Sequence, residues 1–192
     1  MASTPARMVL AVVVTCTASA AALTFTYEVT KDRIAEQERL AREKALNEAL
    51  PEATEFTEMD ENMLVSARES AGETRVDAIF DAGGAGWGVL VAPRGYGGPM
   101  PMVVGVDSDG KVTGVMIITQ NETPGLGTKI VTDESFLPQF RGWDASDVDT
   151  AVKAFDAISG ATKSSGGVRK GVVAAGHIYE EVLSQTEGGS VP

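Results

Sequence analysis

The sequence holds one cysteine and one histidine in 192 residues, which removes most metal and nucleophile chemistry at the outset. A single cysteine excludes an internal disulfide, an all-cysteine zinc site and a cysteine-ligated iron–sulfur cluster within this chain. A single histidine, His177, excludes a multi-histidine metal site. Cationic side chains are also scarce, with 16 Lys and Arg against 27 Asp and Glu and a formal net charge of -11. That balance argues against nucleic acid as a partner, because phosphate contacts need Lys and Arg. No internal repeat and no P-loop Gly-Lys-Ser/Thr occurs. What remains is a chain that is 43% hydrophobic and 22% charged, enough to bury the core of one ordinary domain with a short appendage.

The appendage is N-terminal. Residues 8–27 carry no charge. At 1.5 Å rise per residue they span a hydrocarbon core of about 30 Å. Arg7 precedes the run, and Glu28, Lys31, Asp32 and Arg33 follow it. The positive-inside rule then puts the N-terminus in the cytoplasm and the remainder outside. A cleaved signal peptide is the rival reading, since Ala18-Ser19-Ala20 and Ala20-Ala21-Ala22 resemble small-residue cleavage sites. The run exceeds the usual signal-peptide apolar core of about 7–15 residues, which favours a retained anchor. The expected order is therefore a cytoplasmic segment over residues 1–7, a transmembrane helix over 8–27, a linker helix over 28–50 and an extracytoplasmic domain over 51–192. Cys16, inside the apolar run, reads as a small buried hydrophobe.

Residues 31–50 are rich in Ala, Glu, Lys and Arg, with a thin apolar stripe of Ile34, Leu40, Leu46 and Leu50. They predict a helix on the domain surface or bridging to the membrane, ended by Pro51. Residues 52–73 are acidic and read as irregular. From Arg75 the period shortens, and short strands are predicted over 76–80, 87–91, 102–106 and 112–118. Asp107-Ser108-Asp109-Gly110 joins the last two as a hairpin. Short helices are predicted over 134–140 and 148–155, a final helix over 171–183, and a frayed tail over 184–192. Strands in the middle and helices at the ends make the fold class α+β, with antiparallel strands and flanking helices. Trp87 and Trp143 are core candidates.

Three glycine-rich stretches carry the remaining signal. Residues 83–88 do not fit G-x-G-x-x-G and read as a loop before a strand. Tyr96-Gly97-Gly98-Pro99 and Glu122-Thr123-Pro124-Gly125-Leu126-Gly127 read most simply as tight turns, with Pro124-Gly125 suited to a type II turn. The alternative is that their glycines let backbone N–H groups approach a flat ligand, with Glu122 and Thr123 at its edge. The third stretch is Asp156-Ala157-Ile158-Ser159-Gly160-Ala161-Thr162-Lys163-Ser164-Ser165. Its hydroxyls read most simply as a helix N-cap, yet a helix start also favours a phosphate. An alkyl hydroxyl is a poor nucleophile without a base, and His177 lies a helix away in sequence. Thr162 therefore suits an acceptor modified by another enzyme.

Here the residues resemble a known family. Asp-x-x-Ser-Gly-Ala-Thr is similar to the flavinylation motif of FMN-binding domains, with Thr162 at the modified position. Together with the N-terminal anchor, the Gly-Tyr-Gly-Gly-Pro of residues 95–99 and the Glu-Thr-Pro-Gly-Leu-Gly of residues 122–127, it resembles the G subunits of the Rnf electron-transport complex over nearly the whole chain. The C subunits of the Na+-translocating NADH:quinone reductase look similar and are usually longer. The run Ser164-Ser165-Gly166-Gly167 departs from the bulkier continuation usual in the family, and its glycines weaken a helix start.

The resemblance implies an FMN joined to the Thr162 oxygen as a phosphoester by a flavin transferase that uses Mg2+ and FAD. It implies that Ser159, Gly160 and Ala161 shape the turn, that Ser164 or Ser165 bonds the phosphate, and that Glu122, Thr123, Gly125 and Leu126 contact the ring. Lys163 would balance phosphate charge, and Asp156 would be read by the transferase. The implied function is an electron relay among the other subunits of a membrane complex that links reduced ferredoxin to NAD+ and moves Na+ or H+. No catalytic residue and no metal ligand of its own is expected. A C-type subunit of the Na+-translocating NADH:quinone reductase, a reductase acting on a small substrate and a membrane-tethered flavin-binding sensor module stand as alternatives.

Overall fold

The computed structural model describes residues 4–186. The expected frayed tail lies outside the described residues from position 187, and the first three positions of the N-terminal segment do too. The chain divides into two compact units, residues up to Ala41 and residues from Arg42.

Helix α1 (Thr4–Ala49) merges the predicted transmembrane and linker helices into one. Neither glycine nor proline interrupts residues 6–50, and Pro51 stops the helix where expected. Within the first unit α1 is long and apolar enough to cross a membrane. The hydroxyls of Thr15 and Thr26 donate to the Ala11 and Ala22 carbonyls at 2.9 Å, so these polar groups are satisfied within the helix, as an apolar solvent requires. Cys16 is exposed on this helix and is not covered by protein, contrary to the buried reading.

The second unit is built on a five-stranded antiparallel sheet in sequential order: β1 (Thr57–Glu58), β2 (Arg75–Asp81), β3 (Trp87–Ala92), β4 (Met102–Val106) and β5 (Val112–Ile117). The four strands predicted from residue 76 onward are all present. Both faces are covered, so β3 and β4 are buried along their whole length. One face packs Val89, Val91, Met102 and Val104 against Val168, Val172, Ala175 and Ile178 of helix α5 (Thr162–Glu181). Trp87 and Trp143 belong to this core, as expected. The opposite face packs Leu90, Phe80 and Val103 against Ala45, Leu46 and Ala49 from the last turns of α1.

That second contact depends on glycine. Gly88, Gly105 and Gly114 sit side by side on three adjacent strands. A Cβ on Gly88 would lie 2.5 Å from Leu46, one on Gly105 2.6 Å from the Ala49 carbonyl, and one on Gly114 3.1 Å from the Ala49 Cα. The glycine row lets a helix backbone rest directly on the sheet. The Thr113 hydroxyl then donates to the Ala49 carbonyl at 2.6 Å and caps the helix end. Residues 45–50 thus contribute to the core, where the sequence predicted a surface or bridging helix.

The acidic stretch 52–73, expected to be irregular, forms β1 and helix α2 (Glu61–Ser70). Asp60 caps α2 by accepting from the Met63 N–H at 2.9 Å, and Leu64 and Ala67 are buried. Two buried side chains suffice because tertiary packing supplies most helical stability. Residues 134–140 form only a 3-10 turn over Leu137–Phe140, with Pro138 inside it. Residues 148–155 form α4 (Val148–Ala151) and a further 3-10 turn (Val152–Ala154), and α3 (Lys129–Thr132) is a single turn that was not expected.

The largest correction is α5, which begins at Thr162 and not at 171. Glycine propensity argued against helix over residues 166–171, but packing decides otherwise. A Cβ on Gly167 would lie 2.8 Å from the Arg94 carbonyl, and one on Gly171 would lie 2.8 Å from the Met102 sulfur. These glycines permit close approach of helix and sheet. Gly166 has open space around its would-be Cβ. Gly166→Ala is therefore expected to raise stability by about 0.5–1 kcal/mol. Gly167→Ala is expected to lower it by about 1–3 kcal/mol through overpacking. Denaturant melts of the two variants would contradict this account if they moved in the same direction.

The β4–β5 hairpin turns at Asp107–Gly110 as predicted, with Gly110 at φ +74° and Asp107 Oδ1 accepting from the Asp109 and Lys111 N–H groups at 3.0 and 2.8 Å. Lys111 beyond it pairs with Asp144 at 2.6 Å. The Lys111 ammonium, with the Ser146 hydroxyl, holds the Asp144 carboxyl down from 3.8 to about 2. A carboxyl lowered in the folded state adds stability above its ordinary value, and that contribution is lost as pH falls through the folded value. The stability gap between the natural chain and Asp144→Asn is therefore expected to be constant above about pH 4 and to close toward about pH 2. Denaturant midpoints measured across this range test it, and a gap that stays level to the lowest pH would contradict it.

Candidate functional site

Three segments that are far apart in sequence meet at the start of α5: the loop of residues 94–99 after β3, residues 122–127 after β5, and the turn that leads into Thr162. They enclose a cleft of about 320 Å³. Tyr96 lines it from the first segment, Glu122, Thr123, Leu126 and Gly127 from the second, and Gly160, Ala161, Lys163 and Ser164 from the third.

Glu122 holds these segments together. It is 5% exposed. Its Oε1 accepts from the Gly97 N–H at 3.0 Å, its Oε2 accepts from the Ser164 hydroxyl at 2.5 Å, and its own N–H donates to Gln120 Oε1. The surrounding glycines make room for the carboxylate. A Cβ on Gly95 would collide with it, one on Gly97 would collide with the Asn121 carbonyl, and one on Gly127 would lie 2.7 Å from Oε2. The two stretches that read as plain turns in the sequence are therefore walls packed around a buried carboxylate. Pro124-Gly125 does form the expected turn, with Gly125 at φ +74° and the Leu126 N–H donating to the Thr123 carbonyl at 3.2 Å.

Thr162 is the first residue of α5, and Ala161 holds the N-cap position with no side-chain capping bond. The Thr162 side chain is exposed, between two residues that line the cleft. As at any helix start, the N–H groups of Thr162, Lys163 and Ser164 lack intrahelical partners, and the first α5 bond of this turn runs from the Ser165 N–H to the Ala161 carbonyl at 2.9 Å. The Lys163 ammonium lies 5.8 Å from the centre of the Tyr96 ring. Gly160, at φ +80°, makes the turn into the helix.

The other predicted residues fall elsewhere. Ser165 is fully buried, and its hydroxyl accepts from the Ile158 N–H at 3.2 Å. Asp156 and Ser159 line a separate cavity of about 420 Å³ with Asp133, Ser135 and Gln139. His177 is half-buried beside Asp149 at 3.5 Å, in another part of the fold. Sequence reasoning missed Tyr96 and Gly127 as cleft residues. The signal for Tyr96 was an aromatic side chain flanked by glycines in a stretch with no strand or helix period.

These residues fit a phosphate-bearing aromatic cofactor. Unpaired N–H groups and a helix dipole suit a phosphate at the start of α5. Lys163 adds a cation, and Tyr96 and Leu126 offer apolar surface. The cleft is at the lower end of ligand-pocket sizes, about 300–1,000 Å³, which suits a ring with one edge open to solvent.

Replacing Glu122 by Ala would strand the Gly97 N–H and the Ser164 hydroxyl. The expected loss is about 2–3 kcal/mol of stability, with faster amide exchange at Gly97. Glu122→Gln keeps polar partners for both groups and should lose less. Native exchange at Gly97 unchanged in Glu122→Ala would contradict the clamp.

The chain matches known proteins in two stretches and over most of its length. Residues 95–176, which contain the cleft, match the FMN-binding domain family, and residues 8–49 match the RnfG N-terminal region. The G subunit of the ion-translocating oxidoreductase complex of Aliivibrio fischeri is 34% identical over 177 residues, covering 85% of this chain and 84% of that one. The corresponding protein of Stutzerimonas stutzeri is 31% identical over 83% of this chain and 74% of its own. The G subunit of the Na(+)-translocating ferredoxin:NAD(+) oxidoreductase complex of Acetobacterium woodii is 29% identical over 85% and 86%. With the apolar span of α1, the matches support a membrane location and an electron-relay role with FMN. The chain belongs to the G-subunit family of the Rnf ion-translocating oxidoreductase complexes.

Proposed function

We propose that this chain is a single-pass membrane subunit that carries FMN as a phosphoester on Thr162, on the extracytoplasmic side, and relays electrons between other subunits of a ferredoxin:NAD+-type ion-translocating complex. The observation that carries the reading is the exposed Thr162, at the first residue of α5 and between two residues, Ala161 and Lys163, that line a cleft suited to a ring. Residues 8–27 would cross the membrane with residues 1–7 in the cytoplasm, and the domain beyond would fold outside.

A covalent bond has a physical purpose there. Outside the cytoplasm a reversibly bound flavin would be lost by dilution, and an ester removes that equilibrium. Thr162 needs no base of its own if a flavin transferase supplies one. Its oxygen bonds to the FMN phosphorus of FAD, AMP leaves, and the hydroxyl proton is taken up by the transferase. Asp156 and Ser159, on the exposed turn ahead of Thr162, are available for that enzyme to read. When bound, FMN supplies one- and two-electron exchange. The chain's own residues would hold it: the α5 N–H groups and Lys163 would take the phosphate, and Thr123 and Leu126 would contact the ring, while Glu122 fixes the cleft walls through Gly97 and Ser164.

Thr162→Ala is expected to abolish covalent flavin while the domain still folds, because a change at an exposed hydroxyl is usually mild. In-gel fluorescence after denaturation, using cells that also express the transferase, reads this out. A fluorescent band that persists in the variant would contradict attachment at Thr162 and move it to a neighbouring serine.

A further inference from the structure

We infer that Tyr96 is a ring-contact residue of the cofactor site, paired with Lys163 so that binding of a flat, electron-poor ring exchanges one partner of the phenol for another. The inference rests on the flavin reading above and extends it to the side chain of the glycine-rich loop after β3.

Tyr96 is 68% exposed, the highest value among the described large hydrophobic side chains from Arg42 onward, and Leu126, which also lines the cleft, is 46% exposed. Among the described residues that line the cleft, Tyr96 is the only aromatic one. Tyr96 and Leu126 together leave apolar surface open on one cleft, where a ligand ring can cover both. The phenol stands in solvent, but the backbone that carries it is fixed. Gly97 donates to the buried Glu122 carboxylate at 3.0 Å, the Gly95 N–H donates to the Gly98 carbonyl at 2.9 Å, and the Met100 N–H donates to the Pro93 carbonyl at 2.9 Å. A side chain presented from a pinned loop, with no core of its own to enter, is preorganised for something that arrives from solution.

Lys163 shows which side of the cleft the phenol serves. Its ammonium lies 5.8 Å from the ring centre, and it directly follows Thr162. A cation over an exposed tyrosine face is held weakly. An isoalloxazine ring is electron-poor, and an electron-rich phenol offers it an offset-stacked or edge contact. A ring in the cleft would take the phenol face, and the displaced ammonium would turn to the phosphate one residue away. Tyr96 thereby selects for the ring, and Lys163 for the charge beside it.

The test uses the full-length chain, co-expressed with the transferase and purified in detergent, as the natural form and as Tyr96→Phe and Tyr96→Trp. Two fluorescence readings are taken on each sample, after denaturation to count covalent flavin and in the native state. Tyrosine and tryptophan quench an adjacent excited flavin by donating an electron to it, whereas phenylalanine, of nearly the same shape, does not. With covalent flavin equal in all three, native fluorescence per flavin is expected to rise severalfold in Tyr96→Phe and to stay quenched in Tyr96→Trp. A structural role alone would be rescued by Phe and would leave the reading unmoved. Equal native fluorescence in Tyr96→Phe and the natural chain overturns the Tyr96 assignment alone. Absence of denaturation-resistant flavin from the natural chain overturns the functional reading beneath it.

Discussion

One buried carboxylate holds the candidate site together. Glu122 receives a backbone N–H from the loop after β3 and a hydroxyl from the first turn of α5, while it stands itself in the loop after β5. Three segments that would otherwise be separate surface loops are thereby fixed to one another. A charged group taken out of water is tolerated only with such partners. Both oxygens accept a hydrogen bond, so this glutamate organises the cleft that it lines together with Tyr96, Thr123, Leu126 and the start of α5. Four glycines, at 95, 97, 127 and 167, are the steric condition for this arrangement, since a methyl group at any of them would meet the clamp or the loop it holds.

The same device recurs on the other side of the sheet. Gly88, Gly105 and Gly114 form a flat strip on which the last turn of α1 rests, and Thr113 ties the helix end down. The domain therefore uses glycine for two jobs. On one face it admits the end of the helix that begins in the apolar span, and on the other it admits α5 and the carboxylate. The composition, rich in glycine and nearly without cysteine or histidine, suits a protein whose chemistry belongs to a cofactor and whose own contribution is shape.

Some of this was legible in the sequence and some was not, for definite reasons. Strand alternation and the Asp-Ser-Asp-Gly turn located β2 to β5, because their signal is local. The apolar run and the Asp156–Thr162 motif pointed to a membrane and to FMN, and the matches to the FMN-binding domain family and to G subunits agree. Helix α2 was hidden because only Leu64 and Ala67 are buried in an acidic stretch. The first turns of α5 were hidden because Gly166 and Gly167 read as helix breakers, when Gly167 answers to Arg94, more than seventy positions away in the chain. Glu122 reads in the sequence as a ring contact, and its burial between two partners cannot be seen without the fold. Tyr96 escapes sequence reasoning for the same reason, since exposure beside a cleft is a property of three dimensions.

The account stands most directly on the chemical state of residue 162. Intact-mass measurement and peptide mapping of the chain isolated from its own membranes would read that state. The account predicts a mass increase equal to one FMN less one water, carried by the peptide that contains Thr162. An unmodified Thr162 peptide from cells whose flavin transferase is present and active would contradict it.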